Sequence, residues 1–241
     1  MGFGGQPVRS GTTRENETPL KPFSDEKIID SWSKNTDPWT NAVRGGEIAS
    51  RKLVTDKAVV DAVRSRSPRT GIDIGCGEGW LVRALDGIDM IGVDVVPGLI
   101  GKAVAAGGGD FRVMSYETIG AGALNAAVDV AICNFSLIGK EAVDGMLRAI
   151  PSLLNPGGAL VVQTLHPHVA CGDAPYQDGW REGSWSGFSA AFTDAPPWYF
   201  RTLETWVRTL GECGFRLVEM RESIHPETGK PVSVIFICEP L

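Results

Sequence analysis

The chain has 241 residues, with 23 Lys plus Arg against 29 Asp plus Glu, a net charge of −6. That length suits one sizeable domain, and the acidic balance lacks the basic footprint of a general nucleic-acid binder. No apolar run approaches the roughly 18 residues of a spanning helix, the amino terminus shows no secretory signal, and five Cys (76, 133, 171, 213, 238) without a Cys-x-x-Cys pair suit a reducing cytosol better than a disulfide framework or zinc site.

Residues 1–22 are polar and aperiodic and read as a flexible tail. Residues 23–68 form an expected helical cap: DEKIIDSWSKN is one helix, and Thr55 is the expected N-cap of another, with Ala58, Val59, Ala62 and Val63 on one face. After Pro68 the texture changes. TGIDI, MIGVDVV, FRVMS, AAVDVAICNFSLI and ALVVQTL are short apolar runs, separated by the helical patterns EGWLVRAL, PGLIGKAVAAGG and EAVDGMLRAIPSLL. The last of these is expected to stop at Asn155-Pro156-Gly157-Gly158. Strands alternating with helices imply a parallel α/β sheet covered on both faces. Residues 166–200 carry Gly, Pro and aromatics without a period, the mark of a lid insertion. RTLETWVRTLGECGF then reads as a helix ended by Gly214, and RLVEMRESI with PVSVIFIC reads as a hairpin.

The most informative segment is Gly71-Ile-Asp73-Ile-Gly75-Cys76-Gly77-Glu78-Gly79-Trp80. A strand runs into glycines that permit a tight turn and a close backbone approach, and a helix follows at once. A dinucleotide fingerprint would place its third Gly at position 80, which is Trp. The carboxylates Asp73 and Glu78 flank the turn, where they would repel a pyrophosphate by about 1–4 kcal/mol and attract an ammonium and a sulfonium. Asp94 closes the second apolar run, 19 residues after Gly75, the spacing at which an acidic residue meets ribose hydroxyls.

With IDIGCGEG, GVDVV and LLNPGGALVV in place, the chain resembles the class I S-adenosylmethionine-dependent methyltransferases. The resemblance implies a Rossmann-like seven-stranded sheet of order 3-2-1-4-5-7-6 with strand 7 antiparallel and helices on both faces, an N-terminal helical cap and a lid insertion. It implies one methyltransferase domain over 23–241: cap 23–68, cofactor-binding core 69–165, insertion 166–200, and C-terminal helix and hairpin 201–241. It implies S-adenosylmethionine as cofactor and S-adenosylhomocysteine as product. Asp73, Gly75, Cys76, Gly77 and Gly79 match the loop that cradles the methionine part, and Asp94, with Val95 beside it, matches the ribose contact. Ser115 and Tyr116 stand where the family often has an Asp on the adenine, and that Asp is absent. Asn134 and Phe135 follow the fourth strand, between cofactor and acceptor.

Methyl transfer at a sulfonium needs alignment and water exclusion, and a base only if the nucleophile is protonated. The candidate base is His166, at the end of the fifth strand, with packing and purely structural roles as alternatives. Cys76 reads as packing, not as a nucleophile. Trp32, Trp39, Trp185, Trp198 and Tyr199, with Arg44 and His166, are the candidate acceptor contacts, and Arg51, Arg181 and Arg201 are further candidate anion forks. No His/Asp cluster at metal-ligand spacing appears, and no metal is expected. The expected function is methyl transfer to an O or N nucleophile of a small molecule by a cytoplasmic monomer or homodimer. A tRNA or protein acceptor, an NAD-dependent oxidoreductase and a non-catalytic cofactor-binding scaffold are the alternatives.

Overall fold

The computed structural model describes residues 20–241, so most of the stretch expected to be a tail lies outside the described residues. Five parallel strands follow one another as β1 (Thr70–Ile74), β2 (Asp89–Asp94), β3 (Asp110–Val113), β4 (Val128–Asn134) and β5 (Leu154–Leu165). The insertion adds two short strands, β6 (Gly179–Arg181) and β7 (Trp198–Phe200), paired only with each other. The terminal hairpin is β8 (Phe215–Ile224) and β9 (Pro231–Pro240). The seven-stranded sheet runs β3-β2-β1-β4-β5-β9-β8, with β9 antiparallel to both neighbours. This is the expected order, renumbered by the two strands of the insertion.

Nine α-helices complete the described residues: α1 (Asp25–Lys34), α2 (Thr36–Arg44), α3 (Asp56–Arg64), α4 (Trp80–Ala84), α5 (Pro97–Ala106), α6 (Tyr116–Gly120), α7 (Glu141–Ala149), α8 (Pro167–Ala170) and α9 (Leu203–Glu212). Alternate side chains of the central strands feed two cores. On one face Ile72, Ile74, Ala131 and Cys133 meet Met146 and Leu147 of α7 and Trp206 of α9. On the other, Val130, Ile132 and Val161 meet Val59 and Val63 of α3 and Leu81 of α4. Burial on both faces is why these strands read as continuous apolar runs.

Two local expectations change. Thr55 is not an N-cap: a π-helical turn, Arg51–Thr55, runs directly into α3, and Thr55 has right-handed helical angles and makes no capping bond. The preceding turn already continues the helix, so no extended residue is needed to start it. The helix from Glu141 ends at Ala149, well short of Asn155, because Pro151 has no N–H to continue it. A 3-10 turn follows over Ile150–Leu153, and β5 opens at Leu154.

The chain passes from β1 to β2 on one side and returns to β4 on the other. Their carboxyl ends diverge there, which opens a crevice. The cap and the insertion close together over that end. Asn35, fully buried, donates from Nδ2 to Thr193 O at 2.7 Å and accepts from Thr193 N at 2.9 Å. Lys27 and Lys34 both reach Asp194 Oδ2 at 2.6 Å. Trp32 stands edge-on between Trp39 (4.9 Å) and Trp185 (5.6 Å).

Candidate active site

A cavity of about 370 Å³ lies at the carboxyl ends of β1, β2 and β4. Its floor is the glycine loop. Gly75 and Gly77 have φ of +80° and +57°, a conformation that side chains disfavour. A Cβ on Gly75 would stand 2.3 Å from Ser136 Cβ and 2.8 Å from the Tyr116 hydroxyl, so only glycine lets the loop pass beneath the segment after β4. At Gly77 the nearest atom to such a Cβ is Trp39 Nε1, 3.6 Å away. Gly79, the N-cap of α4, packs on Phe111 and is not on the cavity wall.

Asp94 ends β2 on the cavity wall. Its Oδ2 accepts from Gly77 N and its Oδ1 from Val96 N, both at 2.9 Å. Each oxygen keeps a lone pair for a further donor, and Val95 lines the cavity beside it. Burial raises the Asp94 carboxyl, and the backbone N–H groups oppose that rise.

The two carboxylates first placed around the turn behave differently. Glu78 is fully buried and off the cavity; Arg83 Nη2 and Arg44 Nε each reach Glu78 Oε2 at 2.7 Å. Its charge is spent inside the protein, and it offers nothing to an ammonium. Arg44, which also donates to Lys102 O at 3.0 Å, is occupied in the same way and does not reach the cavity. Asp73 is buried beneath the loop with Oδ1 unpartnered; burial, and then Asp94, push its carboxyl up to about 7.

The segment after β4 forms the opposite wall. Phe135 adopts φ +52° and donates its N–H to Gln163 O, Ser136 Oγ donates to Ile74 O at 2.7 Å, and the Tyr116 hydroxyl donates to Ser136 O at 3.0 Å. Asn134 lines the cavity with Oδ1 buried and unpartnered. Ser115 accepts from Thr118 N as the cap of α6 and also lines the cavity. The Cys76 thiol lines it too, pushed far above its usual range by burial, which keeps it a neutral packing group.

Trp32, Trp39, Trp198 and Tyr199 are on the cavity wall. Trp185 is not: it buttresses Trp32 from behind and donates Nε1 to Thr193 O at 3.0 Å. His166 is also off the wall. Its side chain is buried, with Nε2 paired to Glu222 Oε1 at 2.8 Å and Nδ1 unpartnered. It caps α8, and α8 meets the cavity through Pro167 and Ala170. Arg201 is bound to Gly139 O and Asp144, and Arg181 to the carbonyls of Cys171 and Pro175, so both forks hold the insertion.

Sequence reasoning did not find Asp25. It lies on the wall, and its carboxylate accepts from Lys140 N (3.2 Å) and Ala142 N (3.0 Å), capping α7 from another helix. In the sequence it is an ordinary first-turn Asp, and no local signal marks it. Among the described residues, no group of three or more His, Cys, Asp or Glu is placed to hold a metal ion, and no helix is long and apolar enough to cross a membrane.

A glycine-floored cradle at the sheet's switch point, an acidic residue ending the second strand and an aromatic roof together define a nucleoside-binding α/β protein built to enclose a second molecule. A family model described as a methyltransferase domain matches residues 51–220, and the chain belongs to that family. Structural relatives agree on the fold. A S-adenosylmethionine-dependent methyltransferase from Mesorhizobium loti is 22% identical, with 74% of this chain and 95% of that one covered at a TM-score of 0.56. A methyltransferase of the same dependence from Clostridium acetobutylicum gives 11%, 84%, 96% and 0.61. The DhpI–SAM–HEP complex gives 13%, 92%, 100% and 0.62. No curated protein matches the sequence.

Proposed function

We propose that this methyltransferase moves a methyl group from S-adenosylmethionine to an O or N nucleophile of a small, largely apolar acceptor and releases S-adenosylhomocysteine. The observation that carries this is the continuity of one cavity from the Gly75–Gly77 floor and Asp94 to the aromatic wall of Trp32, Trp39, Trp198 and Tyr199. The residues present fit the cofactor: the floor admits a close approach only because Gly75 and Gly77 lack side chains, and Asn134 Oδ1 is a buried acceptor on the wall that nothing in the protein satisfies. When bound, the cofactor supplies a methyl group already activated on a sulfonium.

The chain's own residues do the rest. Asp94, held by Gly77 N and Val96 N, accepts from ribose hydroxyls. Asp73, from beneath the loop, supplies negative charge under the amino-acid end. Ser115 and Tyr116 border the adenine end, with Tyr116 bonded to Ser136. Gly79 sets the entry angle of α4. Cap and insertion exclude water and align the acceptor, an orientation effect worth on the order of 7–11 kcal/mol. Trp185 and Arg44 support this roof from outside the wall. The roof also favours a small acceptor over tRNA or protein, because cap and insertion are bonded together across the opening.

His166 enters as a positioning residue. Its Nε2 faces Glu222, so it orients α8 against the cavity and takes no proton from the acceptor. Calorimetric titration with S-adenosylhomocysteine and NADH tests the cofactor. Binding of the first and not the second is expected, and the reverse would sink the proposal. Labelled methyl donor supplied with fractionated small metabolites, RNA and protein tests the acceptor class, with label expected in the small-molecule fraction.

A further inference from the structure

Arg51 stands apart from the other arginines around the cavity. Arg44, Arg181 and Arg201 have guanidinium nitrogens committed to carboxylates or carbonyls. Arg51 lies on the cavity wall at 9% exposure, and its only side-chain hydrogen bond among the described residues is from Nε to Asp56 Oδ1 at 2.9 Å. Both Nη groups, with four N–H donors, have no protein partner there. Burying an unmatched guanidinium is costly unless an anion completes it.

Its neighbours hold it in one plane. The guanidinium carbon stands 4.5 Å from the centre of the Trp80 ring and 5.9 Å from that of Trp39. Both rings belong to the cofactor floor: Trp80 follows the glycine loop directly, and Trp39 Nε1 is the nearest atom to the Cβ position of Gly77. Thr55, four residues on at the end of the same π-helical turn, lines the cavity with its hydroxyl buried and unpartnered. Such single π turns interrupt otherwise regular helices and recur at functional sites.

We propose that Arg51 is the carboxylate fork for the amino-acid tail of the cofactor, with Thr55 as its companion donor. This rests on the S-adenosylmethionine reading above. A planar fork matches a carboxylate with two parallel bonds. The consequence is that the cap does more than cover the acceptor. It reads the cofactor, and the tail carboxylate ties the cap to the glycine loop.

The test is calorimetry on the full chain with S-adenosylhomocysteine, with its decarboxylated analogue, and with methylthioadenosine, which lacks the whole tail. The wild type is expected to bind S-adenosylhomocysteine at least tenfold more tightly than the decarboxylated analogue. Arg51→Met is expected to erase that difference while leaving methylthioadenosine affinity within twofold, and Arg51→Lys to restore only part of it. If Arg51→Met weakens all three ligands equally, or none, the fork role is overturned. If the variant does not fold, equal wild-type affinity for the acid and its decarboxylated analogue overturns the proposal by itself. If the wild type binds none of the three, it is the S-adenosylmethionine reading that fails.

Discussion

The two walls of the cavity are built by different physics. The floor is made within a short stretch of chain by backbone groups: glycines at positive φ, amide hydrogens fixed on Asp94, and the start of α4. The roof is made by side chains far apart in sequence, such as Asn35 with Thr193 and Trp32 with Trp185. A backbone-built wall is rigid and indifferent to most substitutions outside its glycines. A side-chain-built wall depends on each partner, and partners can be exchanged without disturbing the sheet. This division suits a family in which the donor is constant and the acceptor varies.

The sharpest way to break the comparison is at Gly75. Gly75→Ala adds a methyl into Ser136 at a positive φ. A loss of roughly 3–5 kcal/mol in urea unfolding is expected, combining backbone strain with overpacking. Asn35→Ala comes next. It strands both the amide and the carbonyl of Thr193, and a cost of about 2–4 kcal/mol is expected. Limited proteolysis should cut within 166–200 while S-adenosylhomocysteine affinity stays largely intact. If the floor lost its ligand as readily as the roof opened, the two walls would not be separable.

Asp94→Asn probes the floor alone. Cofactor affinity should fall by about 1.5–3 kcal/mol in calorimetry, the range for hydrogen bonds to a charged group, and unchanged affinity would remove Asp94 from the ribose. A gentler effect belongs to pH. The Asp73 carboxyl, at about 7 in the folded chain against 3.8 ordinarily, keeps its proton where the unfolded chain has released it. Its contribution to stability is therefore full below pH 3.8 and lost as pH rises towards 7, with a slope of at most about 1.4 kcal/mol per pH unit. Asp73→Asn should flatten that part of the curve in thermal scans from pH 4 to 8. Smallest is His166→Gln, which should leave cofactor affinity within twofold and lower the melting temperature through loss of the Glu222 contact. A large fall in turnover with an altered pH–rate profile and an unchanged melting temperature would return His166 to the role of base.

Local pattern determined a good deal about this protein. The alternation of apolar runs with helical segments required a covered parallel sheet, and the spacing from Gly75 to Asp94 placed the floor, because both are written in neighbouring residues along the chain. Tertiary structure decided the charges and the roof. No sequence pattern shows that Glu78 is neutralised by Arg44 and Arg83, that Asp25 caps a helix from another part of the chain, or that of four candidate arginines only Arg51 keeps its fork open. Those outcomes turn on burial and on which side chains meet across the fold, and neither is a property of any local stretch of sequence.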